Sequence, residues 1–479
     1  MWSYYFTKVK LIYMELFYRE GEIKLLRRQL WMSKEQRSRM TVVTGKTGSG
    51  KTALVAKALE GETFLYFRAG GKTPHLLLQD YLRQVRQKLE LYVPSRVVTF
   101  PTLLEFLFDS AHKRHFTIVI DNLEILVSDP TFIPFLAELW DSNKRGTHIN
   151  LILVSNNTFV TAQLFDNEQS PLVNTADCRI NLGYYTVAQL KELMLQKGSD
   201  RTSEDLLAFY MATGGMPDLT LAVMAATDGS KDQIFNYLLA SNSPLESVAA
   251  RLLSGSLGKN ADVYFSILQL IASGTRTQAA IEDSLGGMVI GGHLAKLETE
   301  YQLITKTRPV LASATSRNVV RYCITDLFLL FWLKYIEANR STLEIEGYQK
   351  VREIAFADFE NAGKQALVRY FTQKFSEQNG IDEIGSDWAA AKPLRSQALR
   401  REYYYTKTRR TKPAPAPEAP LEIDIVALDK RKNKALVADV CLSASQFRKG
   451  PFLERLAVLK KGPLKGYLID SRVFTIEDM

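Results

Sequence analysis

Thr41-Val42-Val43-Thr44-Gly45-Lys46-Thr47-Gly48-Ser49-Gly50-Lys51-Thr52-Ala53-Leu54-Val55-Ala56-Lys57-Ala58-Leu59-Glu60 is the stretch that decides how this chain folds. A short β-branched run favours a strand, and the alanines, leucines and lysines after Thr52 favour a helix. Between them lies a glycine-rich loop of the form G-x-x-x-x-G-K-[ST]. Glycines let backbone N–H groups turn inward around an anion, and the helix N-terminus adds positive partial charge. Gly45 to Thr52 are therefore read as a phosphate cradle for ATP. Lys51 is expected on the β- and γ-phosphates, and Thr52 on Mg²⁺.

Such a loop needs a carboxylate at the end of a neighbouring buried strand to complete the Mg²⁺ shell. His115-Phe116-Thr117-Ile118-Val119-Ile120-Asp121 supplies one, so Asp121 joins Thr52 as the expected metal residue. The next position, where an acid would polarise the attacking water, is Asn122, with Glu124 two further on. An amide cannot accept a proton, so hydrolysis is expected to be slow or to use Glu124. A third apolar run, Asn150 to Val154, ends in Ser155-Asn156-Asn157. Those polar groups are read either as contacts to the γ-phosphate or as a simple strand-to-loop cap. Helical stretches at 73–89 and 102–111 alternate with the strands, which predicts a parallel, doubly wound α/β sheet with the nucleotide at its C-terminal edge.

The whole chain of 479 residues exceeds one hydrophobic core and sets a prior of roughly three domains. No apolar run approaches the roughly 20 residues needed to span a bilayer, so no membrane role is expected. Cys178, Cys323 and Cys441 are few and far apart, and the five histidines show no ligand spacing. A reducing cytoplasmic setting is expected, with no targeting signal. The net charge is +9, and residues 391–479 hold 19 basic against 10 acidic side chains, which is the whole excess. That region is read either as a surface for DNA or another polyanion, or as a solvated basic face.

Several separate segments resemble the archaeal-type ATPases of the AAA+/STAND P-loop group that carry a C-terminal nuclease-like domain. Phe17-Tyr18-Arg19-Glu20-Gly21-Glu22-Ile23 is similar to the opening segment that lies close to the adenine, and its position points to Met14 as the natural start. Gly214-Gly215-Met216-Pro217 resembles the start of a helical lid. Residues 261–308 read as three helices and a wing, with His293 and Lys296 the main polar candidates on the third helix. Tyr322 to Trp332, then Asn339-Arg340-Ser341, then Phe359-Glu360, resemble the signature that leads into the nuclease-like domain. The resemblance implies a P-loop domain at 1–185, a helical lid at 186–258, a winged helix at 259–320 and an α/β restriction-endonuclease-like domain at 321–479. Arg179 is the nearest basic residue to the family's post-sensor region.

In that nuclease-like fold, two acids hold Mg²⁺ and a lysine polarises the nucleophile. The resemblance places Asp424 and Asp439 on successive strands, with Glu360 as a further acid of a degenerate site. Cys441 stands where the lysine belongs, which argues against cleavage unless Arg448 or Lys449 reaches in. Tyr403-Tyr404-Tyr405 and Lys412-Pro413-Ala414-Pro415-Ala416-Pro417 predict a disordered basic insertion near 403–420. Three functions follow as expectations: an ATP-dependent switch acting on a protein partner, an ATP-dependent DNA-binding or nuclease-like enzyme, and a nucleotide-binding scaffold without turnover.

Overall fold

A computed structural model describes residues 18–198, 200–254, 261–312, 320–378, 380–388 and 422–479. Met14, the residues before it and the expected insertion at 403–420 lie outside the described residues. The chain divides into two compact units: residues up to Gln189 with Met216–Ala225, and Leu190–Gly215 with Ala226–Met479. No described helix is long and apolar enough to cross a membrane.

The first unit is a five-stranded sheet of β1 (Arg39–Gly45), β2 (Phe64–Arg68), β3 (Phe116–Asp121), β4 (Ile149–Ser155) and β5 (Cys178–Leu182), in the order β2-β3-β4-β1-β5. Every pairing is parallel. All residues of β3 and β4 are buried, as a sheet covered on both faces requires. Successive side chains alternate between the faces. Met40, Val42, Ile118, Ile120, Leu151 and Leu153 enter one core. Val43, Val119, Ile152 and Val154 enter the other.

Helices α1 (Glu20–Glu35) and α2 (Lys51–Ala58) cover the second face through Leu26, Leu30, Leu54 and Val55. Helices α3 (Pro74–Leu89), α4 (Phe100–Ser110), α5 (Leu123–Leu126), α6 (Phe132–Asn143) and α7 (Thr158–Phe165) serve the first. Pro74 opens α3, where its missing N–H costs nothing, and a proline together with the reciprocal Thr99–Thr102 bonds begins α4. The expected parallel α/β sheet is present, with α3 and α4 starting within two residues of their predicted positions.

In the second unit, α8 (Ser203–Thr213) is capped by Thr202 and Asp205 and ends at Gly214, whose φ is 59°. Beyond the helices Lys231–Leu238 and Leu245–Ser254 come α9 (Ala261–Ala272), α10 (Gln278–Ser284) and α11 (Gly291–Thr299), and then the antiparallel strands β6 (Ile304–Thr307) and β7 (Arg321–Ile324). A second sheet has the order β11-β10-β9-β8, from β8 (Glu383–Trp388), β9 (Glu422–Asp429), β10 (Lys434–Val440) and β11 (Leu468–Phe474). The long helix α12 (Phe359–Ser376) packs on β8, β9 and β10. Helix α13 (Lys449–Lys461) adds Phe452, Leu456 and Leu459 to the core with Val426, Leu428 and Val437.

Ile152 on central strand β4 is fully buried. Ile152→Ala is expected to destabilise the first unit by roughly 2–5 kcal/mol, read as a lower urea midpoint for the transition that carries this sheet.

Candidate functional site

The glycine loop joins β1 to α2 at the C-terminal edge of the first sheet. Gly50, at φ 88°, occupies the left-handed position just before α2, where a Cβ would be strained. A Cβ on Gly45 would stand 2.4 Å from the carbonyl oxygen of Leu182. Only glycine lets the loop pass that close to β5. Lys51 is buried, and its ammonium donates to the carbonyl oxygens of Gly45 (2.6 Å) and Lys46 (2.8 Å) and to Ser49 Oγ at 3.4 Å. Burial lowers its pKa to about 8, against the opposing pull of Asp121, Glu124 and Asp218.

Asp121 stands at the tip of β3, as expected from the sequence. Its Oδ2 accepts from the Tyr66 hydroxyl at 2.5 Å, and its Oδ1 accepts from the Asn122 N–H at 2.9 Å. The same Tyr66 oxygen lies 3.5 Å from Thr52 Oγ1. Burial, and then the neighbouring Asp121, raise the pKa of Tyr66, so the phenol stays protonated and acts as donor. Thr52 and Asp121, predicted to share one metal ion, thus already face one shared oxygen.

Asn122 takes a left-handed conformation, with φ 61°. Its amide donates to the carbonyl of Ala69 at 3.0 Å and its Oδ1 accepts from Asn156 Nδ2 at 3.0 Å. It is a brace between strand ends and has no proton-accepting group to offer. Glu124 has such a group, but both of its oxygens are engaged. Oε2 accepts from Ser155 Oγ (2.7 Å) and the Asn156 N–H (3.2 Å), and Oε1 from Asn156 Nδ2 (3.0 Å). Ser155 and Asn156 therefore hold Glu124, a role beyond either sequence reading. Asn157 caps α7, its Oδ1 accepting from the Val160 N–H at 3.1 Å. Arg179 is engaged by Asp166, with Nη2 3.0 Å from Oδ2.

Residues remote in sequence complete the rim. The Tyr184 hydroxyl donates to the Thr47 carbonyl at 2.8 Å, and Lys46 Nζ lies 5.8 Å from the Tyr184 ring centre. A Cβ on Gly48 would meet Met216 Sδ at 2.9 Å, so the segment expected to begin the lid packs on this loop. Arg19 donates to the Gly183 carbonyl at 2.5 Å, pairs with Glu22 at 3.2 Å and covers the Tyr185 ring at 5.7 Å. Sequence reasoning missed Tyr66, Tyr184 and Tyr185. Tyr66 carried one signal, an aromatic on the strand that pairs with the Asp121 strand.

In the second unit, Asp424 on β9 and Asp439 on β10 come together as expected. The cation beside them departs from expectation. Lys364 on α12 reaches Asp424 Oδ2 at 2.9 Å and Asp439 Oδ1 at 3.9 Å, while Arg455 on α13 lies 3.6 Å from Asp439 Oδ2. Neither Arg448 nor Lys449 makes these contacts. Burial, and then the hydrogen bond with Asp439, push the Asp424 carboxyl up to about 6. Cys441 is buried, its N–H bonded to the Phe474 carbonyl at 3.0 Å, and burial raises its thiol pKa. It does not substitute for a lysine. Glu360 is exposed, one turn before Lys364. Among the described residues, no group of three or more His, Cys, Asp or Glu is set to hold a metal.

Comparison with known proteins matches residues 34–161 to the family described as AAA domain. An uncharacterized protein of Methanocaldococcus jannaschii, MJECL04, is 23% identical over 438 residues, covering 88% of this chain and 86% of that protein. Among solved structures, the Walker-type ATPase PABY2304 of Pyrococcus abyssi is 16% identical, with a TM-score of 0.47, covering 67% of this chain and 96% of that one. The Aeropyrum pernix ORC2 protein, in its ADPNP–ADP complexes, is 16% identical with a TM-score of 0.44, covering 72% and 96%. The parallel sheet, the glycine loop and the strand-tip aspartate lie within or beside residues 34–161, the segment that matches the AAA domain family.

Proposed function

We propose that the first unit binds ATP with Mg²⁺ and hydrolyses it slowly, and that nucleotide state is used as a switch on a protein partner. The observation that carries this reading is the convergence of Lys51, Thr52 and Asp121 at one sheet edge. The ammonium of Lys51 is buried among loop carbonyls, and phosphate oxygens are stronger acceptors for the same donors. Thr52 and Asp121 face one hydroxyl oxygen, an arrangement that suits a small cation completed by phosphate oxygens and water. Bound Mg²⁺ would neutralise charge on the β- and γ-phosphates. Tyr18, Arg19, Tyr184 and Tyr185, beside the loop, are the candidate wall for the adenine.

Glu124 is the residue able to take a proton from water, and three donors from Ser155 and Asn156 hold it. A carboxylate with both oxygens already occupied must give up a partner before it can take a proton from water, which supports slow turnover. Asn156 bonds both Glu124 and Asn122, so a shift at this strand tip moves the whole set. A nucleotide shifts such an equilibrium by its differential affinity for the two states. The scaffold reading, binding without turnover, is favoured by Asn122 at the usual acid position. In the second unit, α9, α10, α11 and the β6–β7 pair are read here as a winged helix, and this segment is the proposed partner-docking element.

Paired measurements of ATP binding and turnover test the reading. Glu124→Gln is expected to keep ATP affinity while slowing hydrolysis by about 100-fold or more. A wild type that binds but never turns over, with Glu124→Gln indistinguishable from it, leaves the scaffold.

The lowered pKa of Lys51 gives a pH dependence. The side chain is a cation below about 8 and neutral above it. ATP affinity measured by titration calorimetry is therefore expected to be level up to pH 7.5 and to fall as pH rises through 8, by up to about tenfold per pH unit. Lys51→Arg, which stays charged throughout, is expected to flatten the profile.

Tyr66 competes for the Asp121 oxygen that would join the metal shell. Tyr66→Phe removes a hydrogen bond to a charged group worth about 1.5 kcal/mol. It is expected to lower the Mg²⁺ concentration for half-maximal ATP binding by up to about tenfold, while leaving metal-free ATP affinity unchanged.

A further inference from the structure

A cavity of about 1200 Å³ opens within the second unit, between the β6–β7 pair, α12, the sheet edge at β8, β9 and β10, and the start of α13. Eight basic and three acidic side chains line it, an excess of five. Each acid has its own cation. Arg321 holds Glu422 at 2.9 Å, and Lys364 and Arg455 hold Asp424 and Asp439. Arg276 is bonded to neutral Gln365, and Arg369 to the carbonyls of Ile324 and Thr325. Lys306, Arg308 and Arg448 are exposed, and among the described residues their side chains make no hydrogen bond or ion pair.

We propose that this cavity binds single-stranded nucleic acid through its phosphodiester backbone, with Lys306, Arg308 and Arg448 on the phosphates. Lys306 and Arg308 are alternate residues on one chain segment, so their charges recur about 7 Å apart, a spacing that suits neighbouring phosphates of an extended strand. Uncompensated cations in a recess with low-dielectric walls concentrate positive potential toward its opening. Half-buried Phe447 also lines the cavity, and buried Trp388 carries the Arg321 guanidinium 4.3 Å from its ring centre. A partly accessible ring such as Phe447 beside a basic groove offers one base a stacking partner without regard to sequence. A recess of about 1200 Å³ has room for a few nucleotides of one strand and not for a duplex. Because Asp424 and Asp439 are neutralised within the cluster, they add little repulsion against an incoming phosphate.

The test is fluorescence anisotropy of the full chain with a labelled single-stranded DNA, its RNA counterpart and the matching duplex, across a salt series. The wild type is expected to bind both single strands more tightly than the duplex. Lys306→Ala/Arg308→Ala/Arg448→Ala is expected to weaken single-strand binding at least about tenfold and to reduce the slope of log affinity against log salt by about two to three. Arg448→Glu alone, at an exposed position, should weaken binding in the same direction. ATP affinity of each variant, a property of the other unit, is the control for folding and is expected to be unchanged. A second basic stretch, Lys407, Arg409, Arg410 and Lys412, provides the competing explanation. The proposal is overturned if the wild type binds no single strand, or if the triple variant binds with wild-type affinity and salt slope. Loss confined to alanine substitutions at 407–412, or equal competition by polyglutamate, overturns it as well.

Discussion

A buried ammonium at the edge of a parallel sheet is the constraint on which the first unit depends. Taking the Lys51 charge out of water costs several kcal/mol unless acceptors surround it, and the loop supplies them from the carbonyls of Gly45 and Lys46. Those carbonyls face inward because Gly50 adopts a left-handed turn and because Gly45 passes close to Leu182 without a side chain. The turn in turn needs β1 held between β4 and β5, and the register Val43↔Val154 and Gly45↔Leu182 fixes that frame. Fold and site are thus one arrangement. The sheet aims the loop, and the loop keeps a positive charge where phosphate oxygens can replace its own carbonyls.

The same sheet couples that charge to a carboxylate network. Asp121 pairs in register with Val154, so the residues just beyond β4 lie beside those just beyond β3. Asn156 uses one amide nitrogen on both Asn122 and Glu124, and Asn122 reaches across to Ala69. Tyr66 adds β2 to the set through Asp121. Strand ends joined in this way change together more readily than singly, which is the physical requirement for a nucleotide-sensing element.

Much of the first unit was legible because its signals are local. The glycine loop, the strand before it, the helix after it and the acid ending β3 are each defined by adjacent residues. Asn122 was recognised as an unusual residue for its position, and Glu124 as the alternative base. What holds Glu124 was not legible, since Ser155 and Asn156 reach it only through the pairing of β3 with β4. Tyr66 depends likewise on its register opposite Val119. Tyr184 and Met216 reach the loop by chain reversals that periodicity does not encode. In the second unit, the resemblance puts Asp424 and Asp439 on successive strands, but the cations beside them come from helices. Lys364 and Arg455 lie on faces set by packing, so proximity in sequence pointed instead to Arg448 and Lys449.

The most direct test of the account is calorimetric titration of ATP, in Mg²⁺, into the wild type and into Lys51→Ala. The account predicts saturable binding to the wild type and loss of at least about 100-fold in affinity for the variant, since a charge-assisted contact to phosphate is removed from a buried site. Equal affinity in the two proteins, or no binding to a folded wild type, would contradict it.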